Sequence, residues 1–102
     1  MVKKILLEEK EKLKKFLASR YKCPCCDCYT YPVPVKEDVG FICPVCFWEN
    51  DAFISSENEP SDCNHGLTIL EGRSNYKKYG ACEETMLSNV RSPKECEITG
   101  TE

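Results

Sequence analysis

Cys23-Pro24-Cys25-Cys26 and Cys43-Pro44-Val45-Cys46 are the stretches that decide the fold of this chain. Each carries two cysteines separated by two residues, with proline after the first, and residues 27–42 lie between the pairs. This is the spacing of a tetrahedral four-thiolate metal site. Two residues between ligands let one tight turn aim both sulfurs at a single ion, and the fixed φ of proline helps set that turn. The 16 intervening residues are enough for one hairpin that brings the second turn back to face the first.

Working outward, Tyr29, Tyr31, Val33 and Val35 alternate as the inner side of a strand over 28–35. Pro32 and Pro34 place that strand at an edge. Lys36-Glu37-Asp38 reads as a turn, and Val39-Gly40-Phe41-Ile42 returns as a short strand into the second pair. Residues 50–66 are rich in turn formers and read as a surface loop. Thr68 opens a helix through a Thr68-x-x-Glu71 capping box, Gly80 closes it, and Leu70, Tyr76 and Tyr79 are its expected inward positions. Gly72 weakens this helix by about 1 kcal/mol relative to alanine. A further helical turn is expected at 83–89, followed by a polar tail. At the amino end, Val2, Ile5, Leu6, Leu13, Phe16 and Leu17 form one apolar stripe of an amphipathic helix over 2–21, with Glu8–Lys12 and Glu11–Lys15 pairs on its surface.

The expected architecture is therefore a small α+β fold, a zinc-ribbon-like β-hairpin with flanking N-terminal and C-terminal helices. Its parts are a helix over 1–21, the cysteine-rich domain over 22–95 and a polar tail over 96–102. A chain of 102 residues has a small core, so a metal staple is useful to it. No apolar run reaches the ~20 residues of a membrane span, and the N-terminal apolar patch is too short and too interrupted for a signal peptide. The reading is cytoplasmic, and nine cysteines there favour metal binding over a disulfide framework. Residues 1–22 carry a net charge of +5 and the rest −8. An acidic body argues against a broad phosphate-binding surface and for a protein partner. The basic helix leaves open a nucleic-acid arm or a homodimer contact.

Several motifs occur in order: Cys23-Pro24-Cys25-Cys26, then Cys43 through Asp51, then Asn64-His65-Gly66-Leu67-Thr68-Ile69-Leu70-Glu71, then Asn75-Tyr76-Lys77-Lys78-Tyr79-Gly80-Ala81. Together they resemble the bacterial cysteine-rich CPCC domain family over about residues 21–95. The resemblance implies a small zinc-ribbon-like domain and brings no established activity. Two departures stand out: Asp27-Cys28 stand where glycine and an ordinary strand residue are expected, and Gly72 where alanine is usual.

The candidate ligands are Cys23, Cys26, Cys43 and Cys46. Cys25 and Cys28 form an overlapping C-x2-C, but the Cys-Pro-x-Cys match to the second pair favours Cys23 and Cys26. Four thiolates accept zinc or iron, as in rubredoxin turns, and Asp27 and Phe47 in place of glycine favour zinc. Cys25, Cys28, Cys63 and His65 have the chemistry for a second metal; against this, His65 can serve as a local hydrogen-bonding group and the spare thiols, Cys82 and Cys96 included, as small packing side chains. No P-loop, dinucleotide fingerprint or Ser/His/Asp set is present, so an enzyme is not expected. The surplus thiols also admit a metal- or redox-responsive sensor. Trp48 with Glu49, Asp51, Glu57, Glu59 and Asp62 makes a candidate protein-docking face, the alternative being an aromatic ring packed inside and a solvated acidic loop.

Overall fold

The computed structural model describes residues 20–100, and within them each cysteine pair closes its own short hairpin. Around the first pair, strand β1 (Tyr21–Lys22) runs antiparallel to β2 (Tyr29–Tyr31), with Tyr21 opposite Tyr31 and Lys22 opposite Tyr29. Around the second, Ile42 bridges Glu49, and Gly40 donates its N–H to the Asn50 carbonyl at 2.9 Å. The expected single hairpin joining the two pairs is thus replaced by two hairpins, one around each. The cause is in the linker. Pro32 and Pro34 cannot donate to a ladder, β2 stops at Tyr31, and Val35–Glu37 winds into a 3-10 turn that follows Pro34.

Helix α1 (Ile69–Tyr79) has the ends its sequence encodes. The Thr68 hydroxyl accepts the Glu71 N–H, Glu71 accepts the Thr68 N–H, and Gly80 ends the helix at φ 93°. Its buried face differs from the expected one. Ile69 and Gly72 are buried, Tyr76 packs partly against the core, and Leu70 is 41% exposed. Gly72 accounts for the phase: a Cβ there would lie 3.0 Å from the Trp48 ring and 3.3 Å from Cys25 Sγ, so the bare backbone makes the closest approach.

The turn expected near 83–89 is a 3-10 helix over Glu84–Asn89. The segment from Lys94, read as a polar tail, instead forms helix α2 (Glu95–Thr99), which packs on β2. Glu97 anchors it. Its carboxylate is 0% exposed, accepts two bonds from the Arg91 guanidinium at 2.7 and 2.8 Å and one from the Lys94 N–H, and lies 3.6 Å from Arg20. Arg91 holds that carboxyl below the usual range. The expected amphipathic helix and its dimer contact lie outside the described residues, except that Tyr21 belongs to β1. Among the described residues no helix is long and apolar enough to cross a membrane.

Candidate metal centre

The two cysteine turns are built alike. In the first, Asp27 donates to the Cys23 carbonyl at 2.9 Å and Cys23 to the Cys28 carbonyl at 2.8 Å. In the second, Phe47 donates to Cys43 at 2.8 Å and Cys43 to Trp48 at 3.0 Å. Both turns exit through a left-handed residue, Asp27 at φ 66° and Phe47 at φ 71°. Glycine takes this conformation without steric cost, so the two side chains accept a local penalty to complete their turns. The turns are also tied to the rest of the domain: Arg73 Nε donates to the Pro24 carbonyl at 2.8 Å, and the Cys82 N–H to the Cys46 carbonyl at 2.7 Å.

This framework brings Cys23, Cys26, Cys43 and Cys46 together, with all four sulfurs within 4.8 Å of one another. Cys23 Sγ lies 3.7 Å from Cys46 Sγ, and Cys26 Sγ lies 3.7 Å from Cys43 Sγ. A tetrahedron with metal–sulfur bonds of about 2.3 Å has edges of about 3.8 Å, so the donor set fits a thiophilic ion. Cys25, by contrast, lies against Gly72, and Cys28 faces the Cys26 carbonyl at 3.8 Å. The overlapping Cys25/Cys28 pair is therefore not the one that converges with the second turn.

Electrostatics make the same point. The Cys23 thiol, then those of Cys26 and Cys46, hold the Cys43 thiol well below its ordinary range, and Thr30 adds a hydroxyl contact at 3.2 Å. Cys26 and Cys46 are pushed up, first by Cys23. One thiolate forms readily in such a cluster, and the others resist ionisation until a cation offsets the accumulating charge. Burial pushes the neighbouring Tyr31 phenol up, which keeps it neutral beside the sulfurs.

The motif that supplies these ligands also places the chain among known proteins. The family model described as Cysteine-rich CPCC matches residues 21–97. The chain belongs to this family. No curated protein and no solved structure matches it. The matched span of the CPCC domain ends inside α2, at the buried Glu97.

The other candidate residues of the CPCC domain separate. Cys63 is exposed beside Glu49 and Asp51, while His65, left-handed at φ 58°, bonds Glu83 at 2.7 Å. Neither joins Cys25 and Cys28, and among the described residues the four-sulfur group is the one place where three or more such ligands converge. Cys82 is buried, with its thiol pushed up to about 12 mainly by burial, and Cys96 is half-buried. Trp48 is 1% exposed and belongs to the core, so it leaves the candidate docking face.

The acidic residues largely organise their own loop. Asp51 accepts from the Phe53 N–H at 2.8 Å and from Ser61 at 2.7 Å. Glu59 accepts from Ser55, and Glu57 pairs with Arg73 at 3.0 Å. Glu49 exchanges backbone bonds with the Asn64 side chain, and Asp62 is exposed at the start of a 3-10 turn. Sequence reasoning missed Thr30, whose contact with Cys43 joins two segments 13 residues apart, and Phe53, which is 87% exposed. Phe53 lies within the acidic run, and that position was a readable signal.

Proposed function

We propose that this CPCC domain is a protein-binding module, held by one structural zinc at Cys23, Cys26, Cys43 and Cys46, and that it has no catalytic activity. Zinc stands ahead of iron because neither cysteine turn continues with glycine. Four protein ligands leave no open coordination position for water or substrate. The single histidine is bonded to Glu83. Desolvation, with the Asp51 and Glu49 carboxylates, pushes the Cys63 thiol up, the reverse of what a reactive thiolate requires.

The observation that carries the binding reading is Phe53. Its ring stands 87% exposed, while the loop beneath it is fixed by Asp51–Ser61 and Ser55–Glu59 bonds. A prearranged aromatic side chain loses little freedom on docking and supplies a large contact area. Beside it, Val35, Val39, Ala52 and Ile54 line a groove of about 290 Å³. The surrounding carboxylates select a basic partner surface with an apolar residue to meet the ring. An inhibitory or immunity-type partner of another bacterial protein is a role of this chemistry.

The test is affinity capture with the full chain, comparing wild type with Phe53→Asp at matched metal content and melting temperature. Capture should fall at least tenfold, and should weaken with salt. Undiminished capture by the folded variant overturns Phe53 as the docking residue.

A further inference from the structure

One ligand of the cluster combines two features that no other ligand has together. Cys23, Cys43 and Cys46 are fully buried, whereas Cys26 retains part of its surface. With the fully buried Cys23 and with Cys25, it lines a groove of about 470 Å³ between the first cysteine turn and α1, walled by Lys22, Asp27, Arg73 and Lys77. Its sulfur joins the other three, and the groove lies against the partly exposed side of this residue. The second feature is hydrogen bonding. Cys23 Sγ accepts the Cys25 N–H at 3.4 Å, and Cys43 Sγ meets the Thr30 hydroxyl at 3.2 Å. Cys26 Sγ and Cys46 Sγ have neither an amide nor a hydroxyl partner among the described residues, and of these two Cys46 is fully buried. A hydrogen bond draws electron density from a thiolate, so the sulfur without one keeps the greater nucleophilicity.

We propose that Cys26 is an oxidation site: hydrogen peroxide entering the groove oxidises Cys26, Cys43 converts it to a disulfide, and the metal centre opens. This rests on the metal-centre reading above. In the first step, Cys26 Sγ attacks a peroxide oxygen, an S–O bond forms, the O–O bond breaks and hydroxide leaves. In the second, Cys43 Sγ, 3.7 Å away, attacks the Cys26 sulfur. The S–S bond forms, the S–O bond breaks and a second hydroxide leaves. Two thiolates lose two electrons, one hydrogen peroxide gains them, and the site loses two of its four ligands. The choice of Cys43 follows from that spacing, since the other sulfur pair at 3.7 Å, Cys23 and Cys46, is fully buried and does not include Cys26.

The experiment titrates the zinc-loaded full chain with hydrogen peroxide beside a chromogenic chelator and maps disulfides under non-reducing conditions. About one ion should be released per peroxide consumed, with Cys26–Cys43 as the first linkage. Cys63→Ser should release metal at the wild-type rate, because Cys63 is exposed and outside the cluster. Release accompanied by a Cys23–Cys46 linkage, or with Cys26 unmodified, overturns the proposal. A loaded chain that keeps its metal while Cys63 alone is oxidised removes only this site. A chain that holds no metal before peroxide is added removes the metal centre and this site with it.

Discussion

Replacing Cys43 by serine should unfold the domain. Among the described residues, and apart from cysteines, the buried apolar ones are Tyr31, Val45, Trp48, Ile69 and Ala81. At about 1.5–3 kcal/mol for each large side chain, the first four contribute about 10 kcal/mol before any entropy is counted. A structural zinc site contributes about 10–16 kcal/mol to folding, against a net stability of about 5–15 kcal/mol for a domain. Loss of the ion therefore removes an amount comparable to the whole margin. Cys43 is the sharpest place to cut because it is fully buried, 3.7 Å from Cys26 and in contact with Thr30. Wild type in reducing buffer should carry close to one zinc by mass spectrometry and melt cooperatively. Cys43→Ser, or wild type with excess chelator, should lose both the metal and the melt, while Cys63→Ser should keep them. A metal-free Cys43→Ser chain that melts within a few degrees of wild type would refute this reasoning, and stoichiometric iron would refute the choice of metal.

Gly72→Val should destabilise the domain by about 2 kcal/mol or more in urea denaturation, since even a Cβ lies 3.0 Å from Trp48. Gly72→Ala should cost less, because about 1 kcal/mol of helix propensity is regained. The folded pKa of Glu97 is depressed by Arg91, so its contribution is present above the unfolded value of about 4.3 and is lost as pH falls through the folded one. Glu97→Gln should then be weaker than wild type by about 1–3 kcal/mol at neutral pH, with the difference shrinking below about pH 4; a constant difference would contradict the assignment. Because both proteins release metal in acid, the difference between them isolates the carboxylate. Glu57→Lys with Glu59→Lys breaks the exposed pair with Arg73 and the Ser55 bonds, and thermal melts should show a loss of only about 1 kcal/mol at unchanged metal content.

The parts of the fold that the sequence revealed are those governed by local chemistry. Cysteine spacing located the four converging sulfurs, and Thr68, Glu71 and Gly80 located both ends of α1. The missed features depend on contacts between distant segments. The alternation around Tyr29–Tyr31 marked a strand but could not name its partner, and β2 pairs back to β1 across the first turn. Leu70 and Ile69 are adjacent in sequence but about 100° apart around the helix, and the choice between them depends on Trp48 needing a bare backbone at Gly72. Glu97 reads as solvated because its counter-ion, Arg91, lies in an unstructured stretch six residues earlier. The Trp48 ring and the acidic loop divided in the same way: the ring went inside, and Phe53 took the exposed position.

Gly72 gives the domain a transmission path. At this one position the backbone of α1 rests on Trp48, which follows the second cysteine turn, and on Cys25, at the apex of the first. With no side chain between them, the helix has no compliant spacer to absorb relative movement of the turns. If the cluster opens, the two supports beneath α1 part and the helix must tilt or lift. Arg73 and Lys77, which wall the groove beside Cys26, move with it. The state of four sulfurs is thereby tied to the seat of a helix face that carries two cations.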